Sequence, residues 1–111
     1  MIEFTVLQKI CLSLPEATEE PHFEKTSFRV KKKIFATYDS KNHKACVKLS
    51  EIDQQVFCSF DASIIYPVPN KWGKQGWTLI DLNKVQIEIL KDIITTSYCE
   101  VAPAKLSAQL K

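Results

Sequence analysis

The hydrophobic positions change period along the chain, and the changes mark its elements. Between Ile2 and Leu14, the residues Val6, Leu7, Ile10, Cys11 and Leu14 recur at spacings of three and four, which predicts an amphipathic helix that Pro15 ends. The acidic stretch that follows, with Pro21 inside it, reads as a loop. From Thr26 to Lys31 the period falls to two, with Phe28 and Val30 on one side and Ser27, Arg29 and Lys31 on the other. Lys33 to Asp39 continues as a second strand, and Lys31-Lys32-Lys33 forms the turn between them. Ala45, Val47 and Leu49 alternate with Cys46 and Lys48 in a third strand, reached through the polar turn Ser40-Lys41-Asn42-His43.

The second half mixes both periods. Ser50, with Asp53 three residues on, resembles a capping box and opens a helix through about Phe60. Ile64 to Val68 favours a strand that Pro67 keeps short or at an edge. Asn70 to Gly76 holds both glycines and reads as loop, and Trp77 to Leu82 is a fifth strand. Asn83 with Gln86 reads as the N-cap pair of the longest helix, whose Ile87, Leu90, Ile93, Ile94 and Tyr98 form a broad apolar stripe. Pro103 breaks the chain before one or two last helical turns over Ala104 to Leu110. The order α-β-β-β-α-β-β-α predicts an α+β fold: one domain over residues 1–111, an antiparallel sheet of about five strands with helices packed on one side.

Composition agrees with that picture and removes other classes. At 111 residues and 45% hydrophobic, the chain is too apolar for disorder and long enough to bury a core without a staple. No apolar run approaches the roughly 18 residues of a membrane span, and Met1-Ile2-Glu3 lacks the basic start of a signal peptide. A soluble cytoplasmic domain is expected.

The net charge of +2 implies no anionic partner, but its distribution is uneven. Glu16, Glu19, Glu20 and Glu24 fall in a stretch without a basic residue. From Lys25 to Lys48, eight basic residues stand against Asp39 alone, eight minus one giving +7. Nearly all are lysine, and Arg29 is the only arginine of the chain. Lysine neutralises phosphate as a point charge but lacks the fork that reads guanine edges, so any nucleic acid held here is held by its backbone.

Cys11, Cys46, Cys58 and Cys99 include no Cys-x-x-Cys pair, and His22 and His43 complete no zinc spacing. Apolar neighbours mark all four as reduced thiols in or near the core. A nucleophilic pair of Cys46 with His22 or His43 has no local support, because nothing marks an activated thiolate. The glutamate stretch matches no EF-hand pattern and reads as exposed. Ser97 has no partnered base, and Tyr98 anchors the helix end. Between Trp72 and Trp77, Gly73 and Gly76 are expected to supply positive φ, and the loop lacks a phosphate-loop signature. Trp77 is expected in the core. Trp72, beside Lys71 and Lys74, either covers the sheet edge or serves as a stacking platform.

Several fragments in this order resemble the MmcQ/YjbR family, small intracellular proteins usually labelled DNA-binding. They are Leu14-Pro15-Glu16-Ala17-Thr18-Glu19-Glu20 with Pro21-His22-Phe23, and Phe28-Arg29-Val30 with Lys33-Ile34-Phe35-Ala36. Further on come the segment from Pro69 through Trp72-Gly73 to Trp77-Thr78, then Thr96-Ser97-Tyr98 and Ala102-Pro103-Ala104-Lys105-Leu106. The resemblance spans nearly the whole chain. It implies a curved antiparallel sheet with helices on one side, related to CyaY-like and secretion-chaperone-like folds, and it supplies no catalytic residue and no cofactor.

The first functional reading is therefore a non-enzymatic module that contacts phosphates, possible ligands including double-stranded DNA, weakly and without strong sequence preference. Its residues are Arg29, Lys31, Lys32, Lys33, Lys48, Lys71 and Lys74, with stacking on Trp72. The alternative is a protein-interaction or small-ligand-binding domain whose lysines only solvate the surface. One continuous positive surface favours the first; cations interspersed with acids favour the second.

Overall fold

The computed structural model describes residues 1–110. Six strands, β1 (Thr18–His22), β2 (Lys25–Val30), β3 (Lys33–Asp39), β4 (Lys44–Lys48), β5 (Ile65–Pro67) and β6 (Trp77–Asp81), form one curved antiparallel sheet in the order β1-β2-β3-β4-β6-β5. The helices are α1 (Phe4–Leu12), α2 (Glu51–Cys58), α3 (Lys71–Lys74), α4 (Ile87–Val101) and α5 (Ala104–Ser107), with a last 3₁₀ turn over Ala108–Leu110.

The sixth strand is the acidic stretch expected to be loop. β1 pairs along its whole length with β2, from Thr18 against Arg29 to His22 against Lys25. Pro21 and the charged side chains are tolerated because this is an edge strand, where an absent N–H costs no ladder bond on the outer side. Two further expectations change. Asn70–Gly76 contains a helical turn, α3, started by Asn70, whose Oδ1 accepts from the Trp72 N–H at 2.8 Å. The long helix begins at Ile87 with Gln86 as N-cap and no side-chain cap bond, so Asn83 lies in the turn before it.

One face of the sheet carries the core. Phe28 faces Ala36, Ala36 faces Val47 and Val47 faces Thr78 across four strands, all fully buried. Leu90, Ile93, Ile94 and Tyr98 of α4 and Leu7 and Cys11 of α1 close over it. Burial of successive residues Phe35 and Ala36 breaks the two-residue period. A bulge is the cause: the register passes from Phe28–Ala36 to Arg29–Ile34, leaving Phe35 as the extra residue turned into the core. Ser97 repairs the ladder there. Its hydroxyl donates to the Phe35 carbonyl at 2.6 Å and accepts from the Lys48 N–H at 3.0 Å. This serine is a buried structural hydroxyl. Tyr98 anchors the helix as expected, donating to the Pro15 carbonyl at 2.6 Å.

Only one of the two glycines supplies positive φ. Gly76 sits at +106°, where a Cβ would run into the Leu49 carbonyl. Gly73 is helical, and its absent side chain lets α3 lie against the Val68 carbonyl. No helix among the described residues is long and apolar enough to cross a membrane.

Candidate functional site

The other face of the sheet is left open by α1 and α4. Alternation places there Lys25, Ser27 and Arg29 from β2, Thr37 and Asp39 from β3, Lys44, Cys46 and Lys48 from β4, and Trp77, Leu79 and Asp81 from β6. Curvature turns this face into a groove of about 560 Å³. Ile34, Cys46 and Leu79 help form its apolar lining, with Val68, Trp72 and Trp77 at one end and His22, Lys25, Asn42 and Lys44 towards the other. Trp77 thus faces the groove, half-buried, and not the core. Its place follows from pairing with Lys48: both belong to the alternate set that points away from Val47 and Thr78.

The cations expected from the sequence gather at the Trp77 end of the sheet, in two groups. Lys31, Lys32 and Lys33 form the β2–β3 connection next to Arg29, with Val30 paired to Lys33. Lys31 and Lys32 both have positive φ, +50° and +69°, as a two-residue hairpin turn between twisted strands requires. Across the sheet, the ammonium of Lys48 is bound by the Gln75 carbonyl, which ties it to the loop behind α3. Lys71 Nζ lies 5.8 Å from the centre of the Trp72 ring, and Lys74 is exposed one turn on.

The acidic segment interrupts the first group. Lys31 Nζ is 2.8 Å from Glu16 and Arg29 Nε is 3.8 Å from Glu20; at the opposite end of the sheet, Lys41 Nζ is 3.9 Å from Glu24. Arg29 also donates from Nε to Ser27 Oγ at 3.0 Å, so its guanidinium is held against the strand. The +7 segment therefore does not act alone. Lys32, Lys33, Lys71 and Lys74 form no ion pair among the described residues, and all four are exposed.

The far end of the groove is electrically balanced. Asp39 faces Lys44, and Lys44 faces Asp81, across adjacent strands. Hydrogen bonding from the Asn42 side chain, with help from Lys25, holds the Asp39 carboxyl below the usual carboxylate range. A bond to the Tyr66 hydroxyl holds the Lys44 ammonium above its ordinary value, and the Tyr66 ring lies under it.

Cys46 and His22 share this groove but do not form a nucleophilic pair. They sit three strands apart, and burial pushes the Cys46 thiol up to about 11. His43 is occupied elsewhere, with Nδ1 2.8 Å from the Tyr38 hydroxyl and Nε2 2.6 Å from the Ile2 carbonyl. Of the groove residues, Lys25, Lys44 and His22 were missed as site residues in the sequence. The alternation Lys25-x-Ser27-x-Arg29 and Lys44-x-Cys46-x-Lys48 already set both lysines on the polar side, whereas the wall made by Val68 and Trp72 has no local signal.

The fold is shared. The crystal structure of Deinococcus radiodurans protein DR2400, described by the domain DUF419, superposes with a TM-score of 0.76 at 20% identity, covering 94% of this chain and 84% of that one. None of the curated proteins searched matches the chain. The family model described as YjbR matches residues 12–100, which take in the whole sheet, the groove and the basic end. The chain belongs to the YjbR family.

Proposed function

We propose that this protein is a non-enzymatic binding module that holds nucleic acid by its phosphates, weakly and without strong sequence preference, at the basic end of the open sheet face. One observation carries the reading. Glu20 and Glu16 pair with Arg29 and Lys31, but Lys32, Lys33, Lys71 and Lys74 stand exposed and without an ion pair among the described residues, at the same end of a sheet face that α1 and α4 do not cover, beside Lys48. Lysines on a turn and a short helix suit backbone contact, which needs charge and not fixed geometry. Arg29, the one side chain with a fork, is engaged by Ser27 and Glu20, which argues against base reading. About three to five phosphate contacts correspond to micromolar or poorer affinity at physiological salt. The test is binding of labelled DNA at two salt concentrations, by the wild type and by the Lys31→Gln, Lys32→Gln, Lys33→Gln triple variant. Weaker binding to every sequence alike is expected from the variant.

A second reading rests on a different surface. Ile52, Val56 and Phe60 lie four apart along α2 and its end, and are 73%, 51% and 59% exposed. An apolar stripe of this kind suits a protein partner. Replacing all three with polar residues would abolish partner binding under that reading, and would leave DNA binding unchanged under the first.

A further inference from the structure

Phosphate contact leaves the groove itself unused. Its volume of about 560 Å³ lies within the roughly 300–1,000 Å³ range of sites that enclose small organic groups. Its lining is apolar and aromatic at the Trp77 end and polar at the other, where Lys25 and Lys44 stand against Asp39 and Asp81, so no net charge there draws an anion inward. A neutral planar ring with both donors and acceptors fits such a place, because Lys44 and Asn42 donate and Asp39 accepts. Aromatic side chains stand at both ends. Trp72 is 49% exposed at the basic end, with Lys71 near its ring. At the other end Phe23, at the β1–β2 turn, is 93% exposed, and its ring lies 4.8 Å from that of His22, which lines the groove. Phe23 holds φ at +58°, a conformation rare for an aromatic residue, while its side chain has almost no cover.

Resting on the nucleic-acid reading above, we infer that the open-face groove takes unstacked bases of a single strand, with Trp72 and Phe23 as the stacking side chains at its two ends. In a duplex the bases are paired and stacked within the helix, so they fill neither the groove nor the faces of these rings. A single strand presents its bases separately, and base–aromatic stacking tolerates any sequence. Lysines at the Trp72 end then hold the backbone while the bases enter the groove.

The experiment compares a labelled 12-nucleotide oligothymidylate with a 12-base-pair duplex at low salt, using the wild type, Trp72→Ala, Phe23→Ala and Lys32→Gln/Lys33→Gln. Both aromatic positions are exposed, so circular dichroism and the unfolding midpoint should stay unchanged. Single-strand affinity well above duplex affinity is expected, with quenching of tryptophan fluorescence. Each aromatic substitution should weaken the oligothymidylate about 5- to 150-fold, the range for loss of one stacked base, and leave the duplex unaffected. The lysine variant should weaken both ligands. Equal affinity for the two ligands, or equal losses on both from Trp72→Ala and Phe23→Ala, overturns the base-binding groove and leaves phosphate contact standing. Binding to neither ligand at low salt overturns both.

Discussion

Lys31 Nζ lies 2.8 Å from Glu16 Oε1, joining the first residue of the basic hairpin turn to the segment that leads into the edge strand. The same relation recurs in Arg29 with Glu20 and in Lys41 with Glu24. In each pair the acid comes from the stretch Glu16–Glu24 and the base from the segment Lys25–Lys48. Such exposed pairs each stabilise the fold by about 0–1 kcal/mol, so their larger effect is on the field the lysines present.

Replacing Glu16, Glu20 and Glu24 together by glutamine should change stability by no more than about 1 kcal/mol per pair. Nucleic-acid affinity should rise several-fold at low ionic strength, and the gain should shrink as salt screens the surface. Titrations of the variant and wild type at two salt concentrations measure this. Unchanged affinity would mean that these cations do not touch the ligand.

Ser97→Ala should behave in the opposite way. It leaves the Phe35 carbonyl and the Lys48 N–H without the hydroxyl that joins them, inside the core. A cost of about 1–3 kcal/mol is expected, read as a lower denaturant midpoint with an unchanged slope. Binding by the folded fraction should persist.

Much of this architecture was legible in the sequence because burial imposes a period. Phe28 with Val30, and Ala45 with Val47, announced their strands, and Ser50 announced its helix by capping: its Oγ accepts from the Asp53 N–H at 3.1 Å. β1 was not legible, because an edge strand needs little buried apolar surface and Thr18–His22 is almost wholly exposed. The Phe35 bulge was hidden for a related reason, since its cause lies in pairing with Arg29 and Phe28 and not in its own neighbours. Of the candidate site, the lysines could be read from charge alone. The groove could not, since it depends on the curvature of the sheet and on Val68 and Trp72 closing one side. Trp77 was misplaced because an aromatic at a strand start gives no sign of which face it takes until the register with Lys48 is fixed.

Trp77→Ala should therefore cost less than the roughly 3–5 kcal/mol of a fully buried aromatic, yet more than Trp72→Ala, which should fall within about 0.5 kcal/mol of wild type. Denaturant midpoints of the two variants check the order. Equal losses would place both rings in equivalent surroundings, against the groove geometry.

Cysteine reactivity should follow burial. Cys46 has its thiol pushed up to about 11, mainly by desolvation. A raised value favours the neutral thiol below it, so alkylation of native Cys46 should be slow at pH 7 and quicken as pH climbs towards 11. Cys11, fully buried, should react only on unfolding, when all four thiols become titratable. Mass mapping of alkylated sites across pH measures both. Fast labelling of Cys46 at neutral pH would point to a thiolate and reopen a catalytic reading of the groove.

The most direct measurement is the dependence of DNA affinity on salt, for the wild type and for a variant carrying Lys32→Gln, Lys33→Gln and Lys74→Gln. With three to five phosphates neutralised, log affinity for a duplex should fall against log salt with a slope of about −2.7 to −4.5, and each lysine that contacts a phosphate should flatten it by about 0.9 when removed. A wild type that binds no DNA at low ionic strength, or binds with a slope near zero that the substitutions leave unaltered, would contradict phosphate recognition at the basic end of the open face.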